Sequence, residues 1–198
     1  MDKVKEKLGA MKSIGHTGGL GEEELSLVEP IGKGGFGTVY KGMWRNLEVA
    51  VKIVVFAQFG PGGVENDKRA ITEAAVCMSV VHPNVTATYH YDIRLEKTDK
   101  HEKEEWKLTL VQELCHASLA DALVSSLMHN KQTQQPNMSI ILLTLIDIAK
   151  AMNYIHCKNI IHGDLKPENV LLKHDPDSPS GMIAKIAGGL RPCLTSAL

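Results

Sequence analysis

The sequence predicts an α+β fold, with an antiparallel sheet in the first half of the chain and helices in the second. Three observations predict this order. Apolar runs with period-2 alternation, separated by Gly, Asn and Pro, fill residues 25–55 and are typical of antiparallel strands. Residues 67–81 have a helical composition. The most apolar stretch, residues 139–156, is long enough for a helix rather than a strand.

The first half contains five predicted strands and one helix. Residues 1–24 alternate charged residues with glycine, and we expect a flexible leader there. Three strands follow, in "LSLVEPIG", "FGTVYKGMW" and "EVAVKIVV". After the glycine-rich connection "FGPGGVEND", the helix over 67–81 ends at the breaker cluster "HPN".

Two further strands, "VTATYHYDIRLE" and "WKLTLVQEL", are separated by the charged insertion "KTDKHEKEE". A run of charges between two strands is typical of a solvated hairpin tip, and we favour this interpretation over an interaction patch. The second half then becomes helical, first in "SLADALVSSLMHN" and then over residues 139–156. Two short strands, "NVLLK" and "MIAKIA", flank the polar turn "HDPDSPSG".

Composition excludes several classes of function. Of the 198 residues, 43% are hydrophobic and 23% are charged, and the net charge is only −1. We therefore expect no nucleic-acid partner, because no global field attracts the chain to a polyanion. Four cysteines are scattered without CxxC pairs, which is typical of reduced thiols in an intracellular, cytoplasmic protein.

No membrane insertion is expected either. The first 24 residues lack the apolar core of a secretory signal. Asp147 and Lys150 interrupt the stretch at 139–156, which falls short of the ~20 apolar residues that a bilayer requires, so a buried helix is the better interpretation. A membrane-tethered parent protein remains open.

The first chemical motif is "IGKGGFGTVY", which places Gly32, Gly34 and Gly37 in G-x-G-x-x-G spacing. Glycines let the backbone N–H groups approach phosphate oxygens, because no Cβ intervenes. An ordinary hairpin turn is an equally good interpretation of the motif alone. Strand-like sequence on both sides favours a β-hairpin flap over the strand-to-helix turn of a dinucleotide fold.

The second motif is "VAVK", which ends at Lys52. A lysine on a buried strand requires a compensating negative charge, either an anionic ligand or a carboxylate such as Glu73 in the predicted helix. Taken alone, a lysine that extends to solvent from a strand edge is the simpler interpretation.

The third motif, "HGDLKPENVLL", is the most specific. It sets Asp164, Lys166 and Asn169 in D-x-K-x-x-x-N spacing between a helix and a strand. The carboxylate can accept a hydroxyl proton, the ammonium can neutralise phosphate charge, and the amide oxygen can bind Mg²⁺. Phosphoryl transfer needs these parts, because its catalysis consists mostly of positioning and charge compensation. A merely polar loop is a poor explanation of the whole string.

In this order the three motifs resemble the eukaryotic protein kinase family, Ser/Thr type: a Gly-rich loop, a phosphate-binding lysine strand and a catalytic loop. The resemblance implies a kinase-like fold with an antiparallel N-lobe, a helix αC and an incomplete helical C-lobe. It implies ATP and Mg²⁺ as cofactors and a protein substrate. "YKGMWRNLEVAVK" and "HPNV" look most like the tyrosine-kinase-like branch of Ser/Thr kinases.

The resemblance also assigns roles to residues. Asp164 and Lys166 would be catalytic, Asn169 would bind the metal, and Lys52 would pair with Glu73 while holding the α- and β-phosphates. Val39 and Ala50 would cover the adenine from above and Leu171 from below. "LVQELC" resembles the segment that ends in the hinge, with Gln112 as gatekeeper and the backbone of Glu113 to Cys115 facing the adenine. The implied nucleotide contacts are Ile31, Gly32, Gly34, Gly35, Gly37, Val39, Ala50, Lys52, Glu73, Glu113, Cys115 and Leu171.

Two positions depart from the family pattern. Where the family has an Asp-Phe-Gly turn whose aspartate binds Mg²⁺, this chain reads "KIAGGL", and no acidic residue follows Asp177 in the sequence. We therefore expect an incomplete Mg²⁺ site and impaired transfer. Gly163 replaces the arginine that precedes the catalytic aspartate, so regulation through a phosphorylated activation loop is not expected.

The resemblance extends from residue 25 to residue 190, with an N-lobe at 25–115, the start of a C-lobe at 116–190 and an unmatched tail at 191–198. We expect a partial kinase domain that lacks the rest of the large lobe, and an exposed apolar helix at 139–156 through which it could associate. Three functions remain open: a Ser/Thr kinase with impaired catalysis, a pseudokinase-type nucleotide-binding module, and a fragment without independent function.

Overall fold

A computed structural model describes residues 25–34, 37–57, 72, 74–98, 103–130 and 132–192. The predicted leader at 1–24 lies outside these residues. The predicted α+β architecture is confirmed, with a five-stranded antiparallel sheet followed by a helical part that carries two small sheets.

The five-stranded sheet consists of β1 (Leu25–Gly34), β2 (Gly37–Trp44), β3 (Leu47–Ala57), β4 (Thr88–Thr98) and β5 (Lys103–Glu113). The strands have the order β1-β2-β3-β5-β4, and every neighbouring pair is antiparallel. Arg45 and Asn46 form the turn between β2 and β3 with positive φ angles of 49° and 64°, as a tight two-residue hairpin turn requires.

One helix packs against this sheet and also joins it to the second half. Residues 74–79 are helical and form α1. Ala74 packs with Val54, Leu108 and Leu110 of the sheet. On the other side, Val76 belongs to a cluster that includes residues from both halves of the chain: Val80, Val85, Ala151, Ile155, Ile160, Ile186 and Leu190. The two halves therefore share part of their core.

The second half combines two helices with short strands. The elements are β6 (Ala117–Ser118), α2 (Leu119–Val124), α3 (Met138–Cys157), β7 (Ile160–His162), a 3₁₀ turn (Pro167–Asn169), β8 (Val170–His174), β9 (Met182–Ile186) and β10 (Leu190–Pro192). Ser118 and Asp121 form a capping box at the start of α2, and Asn137 caps α3. The sheets have the orders β6-β8-β9 and β7-β10.

Several element boundaries differ from the predictions. The strands β4 and β5 run into the charged insertion, so the tip is shorter than predicted. The strand predicted from Val85 begins at Thr88, because Thr86 N–H instead donates to the carbonyl of Ile186. The helix predicted over 118–130 ends at Val124, and Ser126 has a positive φ of 59°.

Helix α3 is more exposed than the buried helix that its apolar sequence predicted. Only Thr144, Ala151 and Ile155 are buried along its 20 residues, whereas Leu142 and Leu145 are more than half exposed. The expected exposed apolar surface is therefore present. By length and composition α3 could also cross a membrane, but one such helix is weak support for a span, because core helices of soluble proteins have the same character.

Candidate active site

The glycine motif forms the hairpin between β1 and β2, as the flanking strands predicted. Gly32 pairs with Val39 and Gly34 pairs with Gly37, while Gly35 lies outside the described residues. Gly37 has a φ of +117°, and a Cβ there would lie 2.2 Å from the carbonyl oxygen of Ile53. Only glycine fits this position, because both the backbone conformation and the space exclude a side chain.

Lys52 lies beside this hairpin, on the central strand β3. It pairs with Val39 on one side and with Leu110 on the other, and its side chain is half-buried. Val39 and Lys52 therefore share one region of the sheet, as predicted. Glu73 lies outside the described residues, so the ion pair between Lys52 and Glu73 stays a prediction.

The predicted hinge follows at the end of β5. Ala50 lies opposite Gln112, whose Nε2 donates to Thr88 Oγ1 over 3.0 Å. The N–H of Glu113 is bonded to the carbonyl of Ala87 at 2.9 Å, so it is already used within the protein. Burial, followed by the Glu113 carboxylate, raises the pKa of the Cys115 thiol to about 11, which keeps this thiol protonated at neutral pH.

The side chain of Glu113 has a role that the sequence did not indicate. It is buried and accepts hydrogen bonds from Lys173 Nζ at 2.6 Å and from Lys185 Nζ at 3.0 Å. We call these three residues the Glu113 cluster. Burial opposes ionisation, but the hydrogen bonds from Lys173 and Lys185 outweigh it and lower the pKa of Glu113. The cluster joins the end of β5 to β8 and β9.

The predicted floor of the nucleotide pocket lies on β8, the strand that also carries Lys173 of this cluster. Leu171 is half-buried and pairs with Ser118 on β6 and with Lys185 on β9. On the opposite side of the predicted pocket, Ile31 on β1 is about half exposed (49%). Both side chains are accessible enough to contact a ligand.

The catalytic-loop residues come together as their spacing predicted. Lys166 Nζ lies 3.0 Å from Asp164 Oδ2, and Asn169 Nδ2 donates to the same carboxylate oxygen at 2.9 Å. Asn169 Nδ2 also donates to the backbone carbonyl of Asp164. The hydrogen bonds from Lys166 and then Asn169 lower the pKa of Asp164. Asp164 is therefore an ionised acceptor at neutral pH.

The two glycines after β9 hold the chain against this loop. Gly188 and Gly189 have φ angles of +68° and +65°, and the carbonyl of Gly189 accepts from Gly163 N–H at 3.0 Å. A Cβ on Gly189 would lie 2.9 Å from the His162 ring. His162 Nε2 lies 3.2 Å from the carbonyl of Ala187, and since a carbonyl only accepts, this nitrogen carries the proton. Burial lowers the pKa of His162, in keeping with a neutral ring.

The residues of the catalytic loop and of the glycine turn after β9 do not fit a magnesium site. Mg²⁺ prefers an octahedron of oxygens that includes at least one carboxylate from the protein. Positions 188–190 are Gly, Gly and Leu, and Asp164 already shares its charge with Lys166. Within the described residues, no group of three His, Cys, Asp or Glu side chains could hold a metal. Asn169 remains the one predicted ligand, through its amide oxygen.

Sequence reasoning missed Arg191, in the segment expected to be an unmatched tail. The strand β10 pairs with β7, so that Arg191 lies opposite Ile161. A Cβ built on Gly163 would lie 3.5 Å from Arg191 Cζ and Nε. No local pattern could have revealed this contact, because it depends on the pairing of two three-residue strands.

Comparison with known proteins explains why the glycine hairpin, Lys52 and the catalytic loop occur together. A model of the protein kinase domain matches residues 25–187, which include the glycine hairpin, Lys52 and the catalytic loop. The chain belongs to the protein kinase family. Protein kinase domains in general use ATP and Mg²⁺, so the absence of a carboxylate after β9 is a departure from the family at its metal site.

Individual relatives of this kinase domain include proteins named as serine/threonine kinases. The chain is 33% identical to a serine/threonine-protein kinase of Caenorhabditis briggsae, over 90% of this chain and 14% of the relative. It is 32% identical to a probable LRR receptor-like serine/threonine-protein kinase of Arabidopsis thaliana, over 72% and 15%. An Aurora/IPL1-related protein kinase of Caenorhabditis elegans is 27% identical, over 75% and 44%. The chain thus spans less than half of the length of each of these relatives.

Proposed function

We propose that this kinase domain binds ATP between the glycine hairpin and β8, and that it transfers phosphate to serine or threonine hydroxyls of a protein only weakly. Lys52 would hold the α- and β-phosphates, Asp164 would accept the hydroxyl proton, and Lys166 would neutralise charge on the transferred group. The observation that carries the proposal is the Gly188–Gly189 turn, which packs on the catalytic loop. This turn stands at the place of the family's metal-binding aspartate, while the catalytic loop itself is well formed.

The same proposal covers the branch of the kinase family and the location of the protein. The sequence around "YKGMWRNLEVAVK" supports the tyrosine-kinase-like branch of Ser/Thr kinases. Scattered cysteines support a reducing, intracellular location, and the raised pKa of Cys115 is compatible with a thiol that stays reduced.

A second candidate is a pseudokinase-type module that binds nucleotide and acts through protein contacts. The same glycine turn favours it, because a nucleotide can bind through Lys52 and the hairpin without a metal. The two functions differ in transfer activity rather than in fold.

ATP binding is tested by titrating ATP, with and without Mg²⁺, against the wild-type chain and Lys52→Ala. We expect measurable ATP affinity that changes little with Mg²⁺ and falls about tenfold in Lys52→Ala, because a charge-assisted contact to phosphate is lost. The matched control is Lys107→Ala, a lysine of the same sheet whose pair with Glu96 is solvent-exposed. Equal ATP affinity in wild type and Lys52→Ala would overturn the assignment, provided that thermal denaturation shows both proteins folded.

A further inference from the structure

Arg191 lies against the backbone of the catalytic loop. The pairing of β10 with β7 and the hydrogen bond from Gly163 N–H to Gly189 fix the approach of this strand. The guanidinium then packs beside Gly163, with Nε and Cζ at van der Waals distance (3.5 Å) from an ideal Cβ on that residue. Gly163 directly precedes Asp164, so this cation is placed at the edge of the loop by backbone contacts rather than by an ion pair.

The charge on this guanidinium is uncompensated among the residues that the structure describes. Arg191 is exposed to solvent, and no carboxylate of residues 25–34, 37–57, 72, 74–98, 103–130 and 132–192 forms an ion pair with it. The lysine of the catalytic loop, Lys166, is already paired with Asp164. His162 is buried, with its Nε2 bonded to the carbonyl of Ala187. Arg191 is therefore the cation of this region that can still bind an anion.

We propose that Arg191 binds a phosphate group carried by the protein substrate, close to the serine or threonine that Asp164 receives. A guanidinium is planar and presents paired N–H donors that match the oxygens of a phosphate monoester. Gly163 is part of this site, because the Arg191 side chain packs against it and a long side chain at 163 would extend into the region of the guanidinium. The proposal rests on the proposed function only in placing the acceptor hydroxyl at Asp164.

The test uses a set of fluorescent serine peptides, each with one phosphoserine within four residues of the acceptor serine, and an unphosphorylated twin of each. We expect the wild-type chain to bind at least one phosphopeptide about tenfold more tightly than its twin at low salt, and to lose this preference in Arg191→Gln. Arg191→Lys keeps the charge but loses the paired donors, and we expect it to retain only part of the preference.

Two further variants separate a binding role from a structural one. Arg94→Gln removes an exposed arginine on β4 and should leave the preference intact. Gly163→Arg combined with Arg191→Gln returns a guanidinium to the same region from the catalytic loop and should restore the preference. A wild-type chain that binds every phosphopeptide like its twin, or an Arg191→Gln variant that keeps the preference, overturns the proposal.

ATP titrations of the same variants identify the source of the phosphate. If Arg191→Gln weakens ATP binding about tenfold and leaves peptide binding unchanged, the guanidinium serves the nucleotide and the peptide proposal is wrong. Normal ATP binding without any phosphopeptide preference also overturns this proposal, but it leaves the proposed nucleotide site standing.

Discussion

At the scale of single residues, the two glycines after β9 differ in the space that they leave for a side chain. A Cβ on Gly189 would meet the His162 ring at 2.9 Å, whereas a Cβ on Gly188 would meet nothing within 4 Å. Both have positive φ, a conformation in which Asp and Asn are the best-tolerated side chains after glycine. Position 188 is also adjacent to Ala187, whose N–H donates to the carbonyl of Asn169. A substitution at position 188 can therefore supply the carboxylate that this chain lacks beside Asn169.

We predict that Gly188→Asp raises Mg²⁺-dependent phosphoryl transfer above the wild-type level. The carboxylate adds a hard oxygen ligand beside Asn169, and an increase of about tenfold requires only ~1.4 kcal/mol in the barrier. The measurement is radiolabel transfer from ATP to a generic serine substrate, and adding Asp164→Asn to the variant should abolish the signal.

Gly188→Asn is the matched control, because it imposes the same strain and shape without the charge. Gly181→Asp tests for a general effect of a new carboxylate, since Gly181 also has a positive φ and open space, but lies in the turn between β8 and β9. Equal transfer by Gly188→Asp and Gly188→Asn would show that the missing carboxylate does not limit catalysis.

At the scale of elements, the Glu113 cluster connects the end of β5 with β8 and β9. Its carboxylate is almost fully buried, as is Lys185, which also donates to the carbonyl of Pro83 at 2.6 Å. Removing one member of a buried ion pair leaves the other charge uncompensated, which is more costly than losing a surface pair. The junction between the sheet and the second half therefore depends on the ionised form of Glu113.

We predict that Glu113→Gln lowers the free energy of unfolding at pH 7 by about 3 kcal/mol. The folded pKa of Glu113 is below its ordinary value of 4.5, so the stabilisation is fully present above that value and is lost as the pH falls through the folded pKa. The difference between wild type and variant should therefore shrink below about pH 4.5.

Urea denaturation of both proteins between pH 7 and about pH 3 measures this difference through the range in which Glu113 takes up its proton. The control is Glu96→Gln, whose carboxylate is half exposed in its pair with Lys107 and should contribute less than ~1 kcal/mol. A difference that stays constant with pH would mean that packing, not charge, determines the effect of Glu113→Gln.

At the scale of the whole molecule, helix α3 exposes an apolar surface that an ordinary globular exterior does not show. Its exposed residues recur at helical spacing on one face: Met138, Leu142, Leu145, Ile146 and Ala149. Contiguous apolar surface of this kind is uncommon on monomeric proteins and marks association sites. Association through this face stays a prediction from the sequence.

We predict that Leu142→Gln combined with Leu145→Gln shifts the chain towards monomer, because both side chains are more than half exposed and removing them costs little folding stability. Sedimentation velocity over a range of concentrations measures the shift. Leu47→Gln, at an equally exposed leucine in the five-stranded sheet, is the control and should leave association unchanged. The prediction is wrong if the wild-type chain is monomeric throughout or if Leu47→Gln has the same effect.

The sequence by itself determined the features whose signals are local. Period-2 alternation and glycine spacing specify the hairpin at Gly32–Gly37, because neighbouring residues determine both the strands and the turn. The arrangement of Asp164, Lys166 and Asn169 follows from their spacing within one short loop. The family, the α+β order and the missing carboxylate after β9 could all be predicted from such short-range patterns.

Only the tertiary structure decided the contacts between residues far apart in the chain. The charge on Glu113 is compensated by Lys173, 60 residues later, and by Lys185. The exposure of α3 depends on which elements pack against it, which its apolar sequence does not specify. Arg191 reaches Gly163 only because two three-residue strands pair, and strands that short have no pattern of their own. Burial and charge compensation arise from what surrounds a residue, and folding brings those surroundings together.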